Sequence, residues 1–136
     1  MPAVPTESFR LAEQIGGWAI FADITLSVHA RDADDPLPLV TCDDGVSVDG
    51  FGHHLAAIGF GVSHALGFIP ESDCVGVIVH RLDTNPVDTT PTALAYVACH
   101  ALLQCWELTP PSAPYFDRDA KTIVFPARSK PLDNQP

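Results

Sequence analysis

Positive charge is what this chain has least of: seven lysines and arginines stand against 17 acidic residues, a formal net charge of −10. A surface this negative repels phosphate backbones, which argues against nucleic acid and anionic membranes as partners. The imbalance is local. Asp32 to Asp49 holds six acids and no base, while four of the seven cations (Arg118, Lys121, Arg128, Lys130) fall in the last nineteen positions. Long hydrophobic runs are also missing, since none reaches the roughly 18 apolar residues of a membrane span. The start, Met1-Pro2-Ala3-Val4-Pro5-Thr6-Glu7, has neither a basic region nor an apolar core, which argues against a secretory leader. These absences predict a cytoplasmic protein with no membrane contact. Cys42, Cys74, Cys99 and Cys105 lack paired C-x-x-C spacing, so a zinc framework is not expected. Each lies in an apolar run and reads as a core thiol.

What is present suits one globular domain. The 136 residues are 46% hydrophobic, enough for a core without staples. Thr6 to Ile15 reads as a short helix, with Thr6 as cap, Phe9, Ala12 and Ile15 on one side, and Gly16-Gly17 as the stop. The cleanest signal follows it. Trp18, Ile20, Ala22, Ile24, Leu26, Val28 and Ala30 alternate with Ala19, Phe21, Asp23, Thr25, Ser27, His29 and Arg31. Period two over that length predicts a long strand with one buried and one open face. Asp32 to Pro38 reads as an acidic turn region, and Leu39–Cys42 and Val46–Val48 as short strands around Asp43-Asp44-Gly45.

Phe51 through Leu66 reads as a buried helix, with Leu55, Ile58, Val62, Ala65 and Ile69 at helical spacing. Gly59 and Gly61 weaken such a helix, and close approach by another helix is the expected reason for them. In the run Cys74 to Leu82, Val75, Val77 and Val79 share one face; Cys74, Gly76, Ile78, His80 and Leu82 share the other. Thr90-Pro91 marks a second helix, Pro91 to Trp106, by a cap followed by proline at the first helical position. Lys121 to Phe125 reads as a final strand. The expectation is an α/β chain of the α+β type. It is a two-layer sandwich, with a mainly antiparallel sheet and two packed helices on one face. Residues 1–128 form the single domain and 129–136 a flexible C-terminal tail.

Two stretches carry a family resemblance. Ala57-Ile58-Gly59-Phe60-Gly61-Val62-Ser63-His64-Ala65-Leu66 resembles a helix in the fourth domain of elongation factor G and related ribosomal-protection GTPases, where Ala-aliphatic-x-x-Gly-Val-x-x-Ala-Leu stands. Val87-Asp88-Thr89-Thr90, followed by Ala93-Leu94 and Ala98, is similar to that domain's Val-Asp-Ser-Ser helix start. The resemblance spans about residues 18–107, with a shorter connection between the two motifs, and implies a βαβ-type sandwich. It also implies a ribosome-associated role through loop tips, with no catalytic residues. Against that role, the chain has no phosphate-cradling Gly-x-x-x-x-Gly-Lys motif, and its charge opposes RNA.

The candidate chemistry is sparse. Asp23, His29 and His80 are the acid and imidazole groups that one sheet face could gather, and they are the catalytic candidates. Asp23 and His29 lie about 20 Å apart along a strand, so His80 could approach one of them and not both. A serine triad cannot be assembled from spacing alone. His53 and His54 stand roughly 15 Å from His64 along a helix, too far to share a metal. Asp32, Asp34, Asp35, Asp43 and Asp44 lack a calcium-loop pattern, and no metal or cofactor is assigned. His100 and Arg81 read as surface or interface residues.

The leading reading is a non-enzymatic binding module whose open sheet face (Phe21, Asp23, Thr25, Ser27, His29) and acidic hairpin engage a protein partner or a second copy of the chain. Apolar surface from Phe21, Ile78 and Leu82 on that face would favour a homo-oligomer. Two alternatives stand beside it: a small enzyme or small-ligand binder with a histidine/carboxylate cleft, and the ribosome-associated factor.

Overall fold

A computed structural model of the chain describes residues 6–30, 39–43, 46, 53–69 and 75–126. The architecture is α+β: a four-stranded sheet, two helices and a second, two-stranded sheet. Thr6–Ile15 is a strand, β1, rather than a helix, and it pairs antiparallel along its whole length with β2, Trp18–Ala30. Along β1 every even position is exposed and every odd one is partly or fully covered, a strict period of two. Gly16-Gly17 joins the strands as a two-residue turn between partners Ile15 and Trp18, and Gly16 has φ +61°. Glycine with positive φ at the first turn position is what a II′ hairpin requires. The glycines that suggested a helix stop are the turn of a hairpin.

The long strand is as expected. Ile20, Ala22, Ile24, Leu26 and Val28 of β2 are buried against the helices. The sheet order is β1-β2-β4-β3, where β3 is Val40–Cys42 and β4 is Val75–Asp83. β4 runs antiparallel to β2, and β3 runs parallel to β4, so the sheet is mixed but mainly antiparallel. Val46 lies outside any strand, and the rest of Val46–Val48 lies outside the described residues. So do Cys74, most of the acidic stretch Asp32–Asp49 and the tail 129–136.

The helices are α1, His53–Leu66, and α2, Pro91–Cys105. Thr90 caps α2: its Oγ1 accepts from Ala93 N–H at 3.1 Å, with Pro91 at the first turn. The preceding turn is locked by Asn85, whose Oδ1 accepts from the backbone of Val87 and Asp88 at 2.8 and 3.2 Å. Thr89 Oγ1 then donates to the Phe21 carbonyl at 2.7 Å, tying this turn to β2. The residues that resemble the elongation-factor motifs therefore serve as framework. Ala57, Ile58, Gly61, Val62 and Ala65 are buried, and Val87–Thr90 is turn and cap.

α2 lies over β1 and β2, and α1 packs along α2 and reaches β3. β5, Tyr115–Asp117, a strand with no clear sequence signal, pairs with β6, Thr122–Val124. Phe116 of this hairpin stacks on Trp18 with ring centroids 5.8 Å apart. His100 is a packing residue rather than a surface one. It stacks on Phe9 at 4.8 Å, its Nε2–H donates to the Pro114 carbonyl at 2.7 Å, and burial lowers its pKa.

Small residues let the two helices nearly touch. A Cβ added to Gly61 would lie 2.1 Å from the Ala95 carbonyl oxygen and 2.8 Å from its carbon. Backbone cannot yield as a flexible side chain does, so only glycine fits there. Gly59, in contrast, has nothing within 4 Å of an added Cβ, so the helix contact explains one glycine and not the other. In an open helix Gly→Ala stabilises by about 1 kcal/mol. Gly61→Ala reverses that sign, with an expected loss of about 2–3 kcal/mol from overpacking, read as a lower urea midpoint at unchanged m-value.

Candidate functional site

The open face of the sheet is organised by one irregularity. β2 and β4 pair regularly from Ala30↔Val75 to Leu26↔Val79, and the next pair is Thr25↔Arg81. His80 is the extra residue of a β-bulge. Val75, Val77 and Val79 are buried beneath the helices, and after the bulge Leu82, paired with Ile24, packs against the core. Leu82 thus leaves the open face on which strict alternation had placed it. The bulge instead turns two consecutive side chains, His80 and Arg81, toward that face.

Each then finds its own partners. His80 Nδ1–H donates to Asp43 Oδ2 from the end of β3, and Ser27 Oγ on β2 lies 2.7 Å from His80 Nε2. With Nδ1 carrying the proton toward a carboxylate, Nε2 of a neutral ring accepts from the serine hydroxyl. Asp43 is held in place as its backbone N–H donates to the Val79 carbonyl at 2.9 Å. Arg81 contacts Asp23 at 3.2 Å and pairs with Asp83. Asp23 also faces Arg10 of β1 at 3.9 Å, and only 7% of its side chain is exposed. Arg10 lies 5.3 Å above the Phe21 ring, within cation–π range. Ser8 of β1 and Thr25 share a hydrogen bond of 2.7 Å.

These contacts decide where the expected site residues stand. Phe21, Asp23, Thr25 and Ser27 lie on one face in a cross-strand network. His80 approaches neither Asp23 nor His29; it joins Ser27 to Asp43. His29 Nδ1 is buried with no hydrogen-bond partner among the described residues. Asp43 is the functional candidate that sequence reasoning assigned only to an acidic hairpin, since its link to His80 needs the parallel β3–β4 pairing. Arg81 and Arg10 were not expected at the site either. Of the three apolar side chains expected on this face, Phe21 lies under a guanidinium, Leu82 is in the core, and Ile78, opposite Ser27, remains there partly exposed.

Among the described residues the cysteines offer no reactive thiolate near the network. Cys42, beside Asp43, has its pKa raised by burial and then by the Asp43 charge. The buried Cys105 thiol is pushed up to about 12 by burial, with Glu7 adding to it. Cys99 is also buried. Among the described residues no three His, Cys, Asp or Glu side chains gather to hold a metal ion.

Three surface cavities lie away from this face. One, of about 290 Å³, is an apolar groove lined by Ala57, Phe60, Pro91, Thr92, Ala95 and Phe125. The others flank Trp18, beside Val87–Asp88 and beside Lys121–Ile123. None of the three is lined by His29 or His80. No helix among the described residues is long and apolar enough to cross a membrane.

No family model and no curated protein matches the sequence. Among solved structures the chain is similar to ttk003000868 from Thermus thermophilus, at 18% identity and a TM-score of 0.54. The likeness covers 76% of this chain but only 17% of that one. At this identity it shows the fold alone: an α+β unit that also occurs within a much longer polypeptide.

Proposed function

We propose that the chain is a binding module and that the open face of its main sheet recognises a protein partner bearing cationic side chains. The observation that carries this reading is the row of three paired groups across the sheet: Ser8–Thr25, Arg10–Asp23–Arg81–Asp83 and Ser27–His80–Asp43. A face whose side chains are already ordered loses little conformational entropy on binding. Asp43 and Asp83 are each about half exposed, at 48% and 50%, and can accept further hydrogen bonds. The net charge of −10 steers cations toward the molecule and keeps polyanions away. The acidic stretch around Asp43 extends the same preference.

Titration of isotope-labelled protein with a short arginine- and glycine-containing peptide tests this. Amide shifts concentrated at Thr25, Ser27, Asp43, His80 and Asp83 are expected, fading between about 0.05 and 0.5 M salt. The Asp43→Asn, Asp83→Asn double variant should lose them. Shifts scattered over the whole acidic surface would contradict a specific face.

One observation favours a second reading, an enzyme acting through the same face. Ser27, His80 and Asp43 stand in the order of a nucleophile, a base and the carboxylate that orients it. Ser27 is 4% exposed, however, so a substrate would have to displace its neighbours to reach the hydroxyl. Treatment with a fluorophosphonate and peptide mass mapping separates the two readings. The binding module leaves Ser27 unmodified; a hydroxyl-selective adduct on Ser27, abolished in His80→Ala, would establish the enzyme.

A further inference from the structure

Histidine is the side chain that ordinarily changes charge between about pH 5 and 8, and the paired groups of the recognition face contain one, His80. Both of its ring nitrogens are engaged. Nδ1–H donates to Asp43 Oδ2, and Nε2 accepts from the Ser27 hydroxyl at 2.7 Å. A proton added at Nε2 turns that acceptor into a donor. The Ser27 oxygen must then accept, and its own hydrogen loses its partner. Ser27 is 4% exposed, and its hydroxyl has no other hydrogen-bond partner among the described residues. Protonation of the ring therefore reorganises the face instead of merely adding a charge to it.

The groups around the ring decide what that charge does. From β3, Asp43 faces it, and neighbouring Cys42 keeps its thiol proton because burial and then the Asp43 charge raise its pKa. From β2 the facing group is Ser27; Asp23 stands farther along that strand, shared by Arg10 and Arg81, and His29 lies beyond Ser27, opposite Gly76. On β4 itself, Arg81 turns to Asp23 and Asp83. Among the described residues, Asp43 is thus the carboxylate that touches His80.

We propose that His80 is a pH switch in the recognition face: its protonation offsets the charge of Asp43 and reverses the Ser27 hydrogen bond, so that a cationic partner is held near neutral pH and released in mild acid. The switch rests on the recognition reading above. With the ring neutral, Asp43 offers its full charge to an arriving cation. With the ring protonated, that charge is offset and the imidazolium itself repels the cation. One unit of charge about 4 Å away is worth about fivefold in affinity even in water.

Two titrations, each run against His80→Gln, test this. Glutamine offers an N–H donor and a carbonyl acceptor, as the neutral ring does, and takes no proton. In the peptide-free protein, the Ser27 and Asp43 amide signals should move with the same midpoint as the His80 ring, and that movement should be absent in His80→Gln. With the arginine- and glycine-containing peptide, the parent should lose at least about fivefold more affinity than His80→Gln between about pH 7.5 and 5.5. The remaining histidines protonate in both proteins, so the difference isolates His80. Ser27 and Asp43 signals that ignore the ring, or equal losses of affinity in the two proteins, would overturn the switch. A peptide that binds neither protein near neutral pH would instead contradict the recognition reading, and the peptide-free titration would still decide whether the ring reorganises the face.

Discussion

One residue too many in β4 determines what the sheet can display. Without the bulge at His80, alternation from Val79 would point His80 outward, Arg81 inward among the valines and Leu82 outward to water. With it, Leu82 returns to the core, and both His80 and Arg81 reach the open face. The electrostatic consequence is large. Asp23 is almost fully covered, and a buried carboxylate stripped of its partner costs about 3–5 kcal/mol. Arg81, at 3.2 Å, is the nearer of its two cations and comes into range because of the bulge. The irregularity therefore creates the network and makes a buried acid tolerable within it.

The helical layer obeys a different constraint, closeness rather than charge. Gly61 against Ala95 brings two backbones together and lets α2 bury nearly every residue between the sheet and α1. A thin, rigid roof results, and it fixes the positions of β1 and β2 from behind. The same strand serves both sides: Ile24, Leu26 and Val28, which alternate with Thr25 and Ser27 of the network, are fully buried under the helical layer. Packing on one surface and preorganisation on the other are two sides of the same strand.

Much of this was legible in the amino-acid sequence. Fourteen alternating positions from Trp18 marked β2, Thr90-Pro91 marked the start of α2, and small residues marked the helix seam. The misreading of β1 has a physical cause. As an edge strand it carries Glu7 and Glu13 at covered positions near the sheet margin, where they meet Gln104 and Arg118. Those charges break the apolar alternation, and Phe9, Ala12 and Ile15 then mimic a helical stripe. The site was half legible. Asp23, Thr25 and Ser27 follow from period two, but neither a bulge nor the parallel pairing that brings Asp43 to His80 leaves a local signal. The fold likeness to a segment of a longer protein shows the fold and carries no function to this chain.

The central claim is that the bulge holds His80 between Asp43 and Ser27, building the open face as one ordered surface. Long-range ¹H–¹⁵N correlation of the histidine rings tests it most directly, by reporting which nitrogen carries the proton in the neutral ring. The account predicts the Nδ1–H tautomer for His80, shifting toward Nε2–H in Asp43→Asn. A neutral His80 in the Nε2–H form, unaffected by that substitution, would contradict it.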